Sequence, residues 1–359
     1  MRDRFHIARF AAAVRHAALA GAVALGMTAP TAAHAAAGTS VQRLAVGQPS
    51  PLLDGEQYNR RLQSPIFADD LRRFVEAGGR RLVPEAFDGG EVDAWLPPDE
   101  PPDGYGLLLF VLPDDSVALP ADWKRPLAER GVLMVVVRGA GNHVDLFSKR
   151  IPRILDAYSL AKSRWRIDPA RTWISGFSGG ARVAQRVAMA WPDEFTGTVQ
   201  FAGSVIVGSA RLAPPPLELA RLLQQRTRFV FVSGLQDTRN RGNDGRARES
   251  MAALCFADVV FRSPARLEHW VPGGRELAKA LDALEAPLRT DPGCATELDA
   301  RIDAALDRVE ADFLAGDVDA ARAALVGIDD RWGGLAAPRS LELSRRMLPT
   351  IRAQSAVAE

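Results

Sequence analysis

The chain has 359 residues, 47% of them hydrophobic and 25% charged, and its 45 basic and 44 acidic side chains leave a formal net charge of +1. At roughly 100–200 residues per domain this is one large domain or two modest ones, and the apolar share excludes a disordered chain. The near-neutral balance argues against a protein that neutralises nucleic-acid phosphates, and no apolar run reaches the roughly 18–20 residues that span a bilayer.

The first 37 residues read as an address. Arg2, Arg4, Arg9 and Arg15 form a positive start, Ala17 to Met27 is a short apolar stretch, and Ala33-His34-Ala35 and Ala35-Ala36-Ala37 give small–x–small cleavage patterns. Together they predict a secretory signal peptide (1–37) and a periplasmic or secreted product. No Cys follows the cleavage site to carry a lipid, so no membrane attachment is expected after signal removal. Its loss removes four arginines and Asp3, which takes the net charge from +1 to −2. It also removes His6, His16 and His34 and leaves His143 and His269. So few imidazoles argue against a zinc site, and no cofactor is expected. The oxidising compartment favours a disulfide between Cys255 and Cys294, the alternative being two buried thiols.

Residues 38–65 read as loop, and Phe67 to Ala77 as a short helix. Val92 to Leu96 suits a strand, closed by Pro97-Pro98. Leu107 to Leu112 and Val132 to Val137 are unbroken apolar runs that suit strands buried on both faces of a parallel sheet. Pro120 to Arg130 between them suits a helix, and Ile151, Ile154, Leu155 and Tyr158 mark another. Further strands are expected at Thr172 to Ser175, Thr198 to Phe201 and Phe229 to Ser233, with helices at Val183–Ala188 and Leu277–Leu284 between or after them. This alternation predicts an α/β fold. Leu298, Ile302, Leu306, Val309 and Phe313, then Val318, Ala321, Leu325 and Ile328, predict a C-terminal helical hairpin broken at Ala315-Gly316-Asp317. The expected organisation is 38–105 as a loop and strand region joining the main domain, 106–290 as its core, and 291–359 as a helical extension.

The chemistry centres on Gly176-Phe177-Ser178-Gly179-Gly180. It matches G-x-S-x-G, follows an expected strand and opens an expected helix, the setting of a strained turn that presents a nucleophilic serine. A serine hydroxyl needs a base, and His269 is the one histidine after Ser178. The acid should lie between them, among Asp193, Glu218, Asp237, Asp244, Asp258 and Glu268. Asp237, in Gly234-Leu235-Gln236-Asp237 just past a strand, is favoured, because ligands of open α/β sheets bind at the carboxyl ends of strands. Asp244, in Asn243-Asp244-Gly245, is the reserve. The oxyanion of an acyl transfer would take the backbone N–H of Gly179 and a second donor from the loop after the early strand. That loop is Leu112-Pro113-Asp114-Asp115-Ser116; Pro113 has no N–H, so Asp114 would supply it, and its carboxylate would oppose an oxyanion if turned inward. Gly139-Ala140-Gly141 and His143 read as a turn at the site's rim, and Arg239 to Arg248 as a solvated loop.

These residues resemble the α/β-hydrolase superfamily, and within it secreted esterases similar to poly(3-hydroxybutyrate) depolymerases. The similarity covers roughly Gly106 to Leu284 and rests on Ile167-Asp168-Pro169-Ala170-Arg171, the Ser178 elbow, Gly234 to Asp237 and the segment around His269. It implies an α/β-hydrolase-type, mostly parallel sheet with helices on both faces, and Ser178, Asp237 and His269 as a catalytic triad. The loop Leu112 to Asp115 departs from the family by lacking His-Gly, and Glu268-His269-Trp270 by lacking a glycine before the histidine. The expected activity is that of a serine hydrolase acting on a small-molecule or polymeric ester. A serine peptidase with the same triad and a non-catalytic binding protein on the same scaffold are the competing readings, and the oligomeric state is open.

Overall fold

A computed structural model describes residues 40–79, 84 and 86–358; the expected signal segment lies outside them. Its strands in chain order are β1 (Gln42–Ala45), β2 (Glu91–Trp95), β3 (Tyr105–Val111), β4 (Val132–Val137), β5 (Ile167–Phe177), β6 (Gly197–Phe201), β7 (Arg228–Val232) and β8 (Val259–Arg262). They form an eight-stranded sheet in the order β1-β2-β4-β3-β5-β6-β7-β8. From β4 to β8 every neighbouring pair is parallel, while β1 and β2 form an antiparallel edge in which Ala94 faces Val135. The unbroken apolar runs of the sequence are β3 and β4, and their registers Leu109↔Val135 and Leu109↔Ile174 put β3 in the middle of the sheet.

Both faces of that middle are covered, which is why β3 shows no polar alternation. Helices α1 (Gly55–Leu62) and α2 (Pro65–Glu76) precede β2; α3 (Lys124–Glu129), α4 (Ile151–Arg164) and α5 (Gly179–Ala190) follow β3, β4 and β5 in turn. Next come α6 (Leu217–Gln225), α7 (Thr238–Ala253) and α8 (Gly274–Glu285). Leu107, Leu109 and Val111 of β3 pack with residues of α4 and α5, and Leu108 and Phe110 with Leu127 of α3 and Leu277 and Leu281 of α8. β7 divides in the same way: Val230 and Val232 join the α8 side, while Phe229 and Phe231 pack under α6, α7 and the C-terminal helices.

The sheet and helices have the α/β-hydrolase-type arrangement that the resemblance implied. Several elements differ from the sequence expectation. Within 38–65, β1 and α1 replace loop; four residues of edge strand and eight of helix are too short to show a period. The extension is more than a hairpin: α9 (Pro292–Leu314) and α10 (Val318–Trp332) are joined by α11 (Arg339–Ala358), which buries Leu343 and Met347 in the same cluster. Arg239 to Arg248 lies inside α7 and is not a loop, and neither is Asn243-Asp244-Gly245. Cys255, just past α7, is disulfide-bonded to Cys294 in the first turn of α9, with Cα atoms 5.8 Å apart. Among the described residues no helix is long and apolar enough to cross a membrane.

Candidate active site

Every residue in question stands past the carboxyl end of a strand. β5 runs straight into the elbow, where Ser178 takes φ 54° and ψ −117°, a conformation that side chains seldom adopt. Its surroundings fix it: the Ser178 N–H donates to Phe201 O at 2.8 Å, and α5 starts at the next residue. A Cβ on Gly176 would lie 2.5 Å from the carbonyl carbon of Gly180, so the turn closes only with glycine there. Strained residues held by their neighbours cluster at functional sites, and this one sits between β5 and α5 at the carboxyl edge of the sheet.

His269 sits on the loop after β8. That loop is tied to the loop after β7 by Leu235 N–H donating to Pro264 O at 3.0 Å and Gln236 N–H to Leu267 O at 3.3 Å. The imidazole packs on the ring of Phe177, with centroids 4.9 Å apart. Its Nε2 lies 3.1 Å from Ser178 Oγ, and its Nδ1 lies 2.6 Å from Asp237 Oδ2. The structure therefore brings Ser178, His269 and Asp237 into one hydrogen-bonded line.

Asp237 caps the N-terminus of α7, where the Asn240 N–H donates to its Oδ1 at 3.3 Å. Burial opposes its ionisation, but the hydrogen bonds from His269 and Asn240 outweigh burial and hold the carboxyl below its ordinary range. An ionised Asp237 accepts the Nδ1–H and leaves Nε2 free to accept from Ser178. Asn240 was not singled out in the sequence. Its Nδ2 donates to both Asp237 oxygens at 2.9 Å, and its Oδ1 accepts from Arg182 Nη2 at 3.1 Å. An Asp-x-x-Asn capping pattern is the signal that could have found it.

The other acids face elsewhere. Asp244 is fully buried in α7 and accepts from the hydroxyls of Ser204, at 2.6 Å, and Ser233. Burial pushes its carboxyl up to about 6 against the pull of those two bonds. Asp193 pairs with Arg61, Glu218 with Arg60 and Asp258 with Arg228, at 2.7, 2.6 and 3.4 Å. Glu268 is exposed beside His269.

Gly179 is buried as the first residue of α5, so its N–H has no partner within the helix. Asp114 is exposed on the loop after β3, and its Oδ1 accepts from the Ser116 N–H at 2.8 Å, which occupies the carboxylate in its own turn. The Ser116 side chain first, and its backbone N–H second, hold the Asp114 carboxyl below the usual range. His143 is exposed on the loop after β4. Around the site, Leu235 is 41% and Trp270 70% exposed, an apolar rim on the loops that carry Asp237 and His269.

No family model matches the chain, and no curated protein matches it. Among solved structures it is similar to an S-formylglutathione hydrolase from Staphylococcus aureus at 12% identity, over 68% of this chain and 99% of that one, with a TM-score of 0.43. An S-formylglutathione hydrolase from Agrobacterium tumefaciens gives 15% identity over 54% of this chain and 87% of that one, with a TM-score of 0.39. A puromycin-hydrolyzing peptidase from Mycobacterium tuberculosis gives 17% over 56% of this chain and 37% of that one, with a TM-score of 0.41. At such scores these likenesses carry no weight beside the sheet order and the geometry at Ser178.

Proposed function

We propose that the chain is an exported serine hydrolase that cleaves carboxylic esters through an acyl-enzyme on Ser178. The line Ser178 Oγ–His269–Asp237, with its serine on a strained elbow, carries this reading. Ser178 Oγ attacks the ester carbonyl while His269 Nε2 takes its proton, and Asp237 stabilises the imidazolium formed. The tetrahedral oxyanion takes the Gly179 N–H and the Asp114 N–H. Collapse breaks the ester C–O bond, and His269 returns the proton to the departing alcohol. Water, deprotonated by the same imidazole, then releases the acid and regenerates Ser178.

The ester rather than the amide bond follows from the resemblance to secreted esterases, and the exposed Leu235 and Trp270 suit an apolar acyl group. Export follows from the signal-like first 37 residues and is supported by the Cys255–Cys294 bond. A fluorophosphonate probe should label Ser178 in the folded protein and fail to label His269→Ala. Short p-nitrophenyl esters should turn over faster than the matching anilides. Folded wild-type protein that stays unlabelled would end this reading in favour of a binding protein.

A further inference from the structure

Asn142 and Arg150 stand beside the elbow, and nothing above assigns them a role. Arg150 closes a wide turn, Leu146–Arg150, in which its N–H reaches back to Asp145 O at 2.8 Å, and the residue is only 6% exposed. No carboxylate pairs with it among the described residues. Its Nη1 donates to Asn142 Oδ1 at 3.0 Å, its Nη2 to Leu112 O at 3.3 Å, and its Nε is buried without a partner. Desolvation alone brings this guanidinium down to about 10. A buried cation with no counter-ion costs several kcal/mol, a cost that a stability role alone does not explain.

Asn142 links this cation to the nucleophile. Its backbone N–H donates to Pro113 O at 2.8 Å, which locks the loop after β4 to the loop after β3. Its carboxamide crowds Gly179: a Cβ built there would be 2.0 Å from Asn142 Oδ1, 2.6 Å from Cγ and 2.7 Å from Nδ2. A guanidinium only donates, so the amide atom facing Arg150 must be the oxygen. The NH2 group is thereby turned away from Arg150. Among the described residues it has no acceptor, and Asn142 is exposed to solvent.

Resting on the hydrolase reading, we infer that the Asn142 carboxamide is a side-chain donor to the oxyanion next to the Gly179 N–H, held in that orientation and polarised by the buried guanidinium of Arg150. Asn142 touches the reacting oxygen; Arg150 is a positioning residue behind it. A cation at the amide oxygen strengthens the N–H as a donor, and negative charge arriving at the oxyanion meets the positive charge that the free protein leaves uncompensated. The arrangement adds a side-chain donor to the Gly179 and Asp114 N–H groups, in a site where Pro113 has no N–H to give.

Asn142→Asp is the decisive variant. It keeps the shape and gives Arg150 a carboxylate partner, so the melting temperature should hold or rise. It removes the donors and puts negative charge at the oxyanion. Asn142→Asp and Asn142→Ala should each lower kcat/KM for a p-nitrophenyl ester by about 100–1000-fold, with KM changed less than about threefold. The Ki of a trifluoromethyl ketone, which forms a tetrahedral adduct on Ser178, should rise by the same factor, a proportionality that a merely structural role would not produce. Arg150→Met should show the same pattern more weakly, with Arg150→Lys restoring part of the loss. A fluorophosphonate-reactive wild type whose Asn142→Asp variant keeps its activity, or loses it with an unchanged Ki, overturns the inference and leaves the hydrolase reading standing. A wild type that neither reacts with the probe nor turns over esters overturns both.

Discussion

At the scale of single residues, the site is a problem of assigning acids. Asp237 caps α7 and Asp244 lies within it, both buried, yet only Asp237 meets the imidazole. Asp237→Asn would place an amide NH2 against Nδ1 and drive the imidazole proton to Nε2, where it blocks transfer from Ser178. Turnover should fall on the order of 10⁴-fold, the scale of the equivalent change in a well-studied triad. Asp244→Asn should leave turnover within about threefold, because Asp244 bonds to Ser204 and Ser233 and not to His269. Asp114→Asn should be nearly silent as well, since that carboxylate is engaged with the Ser116 N–H. Initial rates on one p-nitrophenyl ester check all three variants, and a large loss in Asp114→Asn would show that its side chain enters the oxyanion site. Ser178 and His269 were legible in the sequence because one sits in a spaced glycine motif and the other is the sole histidine downstream. Asn142, Arg150 and Asn240 were not, because each acts through a contact between distant segments that no local pattern records.

At the scale of elements, legibility followed burial symmetry. β3 and β4 read directly from the sequence because both of their faces are apolar. Helix α7 did not, because its inward stripe is Asn240, Asp244, Ala247 and Met251: the spacing is helical, but the end nearest the site is polar. Two glycines and four arginines in Arg239 to Arg248 then gave it the look of a loop. The same helix ends at the disulfide that staples it to α9. Closing a chain segment with a sequence separation of 39 should remove loop entropy worth about 4 kcal/mol from the unfolded state. The Cys255→Ala/Cys294→Ala double variant should therefore melt well below the wild type. Ester hydrolysis at 25 °C should survive, because α9 carries none of the site residues. Denaturation followed by circular dichroism, with and without reductant, tests this: reductant should lower the wild-type midpoint and leave that of the variant unchanged.

At the scale of the whole molecule, the sheet gathers residues from five separate loops onto one edge, and the same convergence leaves a carboxyl group in the interior. Ser204 follows β6, Ser233 follows β7, and Asp244 on α7 ties the two together from a fully buried position. Burial raises its folded-state pKa to about 6, above the ordinary 3.8 that it regains on unfolding. Between those values the native state holds a proton that the unfolded chain has lost, so stability falls as pH rises through this window. The contribution is fully present below the unfolded value and is lost above the folded one. Asp237 works in the opposite sense, because its carboxyl is held below the ordinary range and its stabilisation fades as pH falls. Comparing wild type with Asp244→Asn largely cancels the other groups and isolates Asp244. An asparagine keeps the acceptor for Ser204 and lets the Ser233 hydroxyl rotate to accept from its NH2, without the ionisation. In urea unfolding the variant should be the more stable protein at pH 8, and the gap should narrow by about 1 kcal/mol by pH 5 as the wild-type carboxyl takes up its proton. A stability difference that stays constant across this range would mean that Asp244 does not change protonation on folding, and that its two serine bonds compensate fully for its burial.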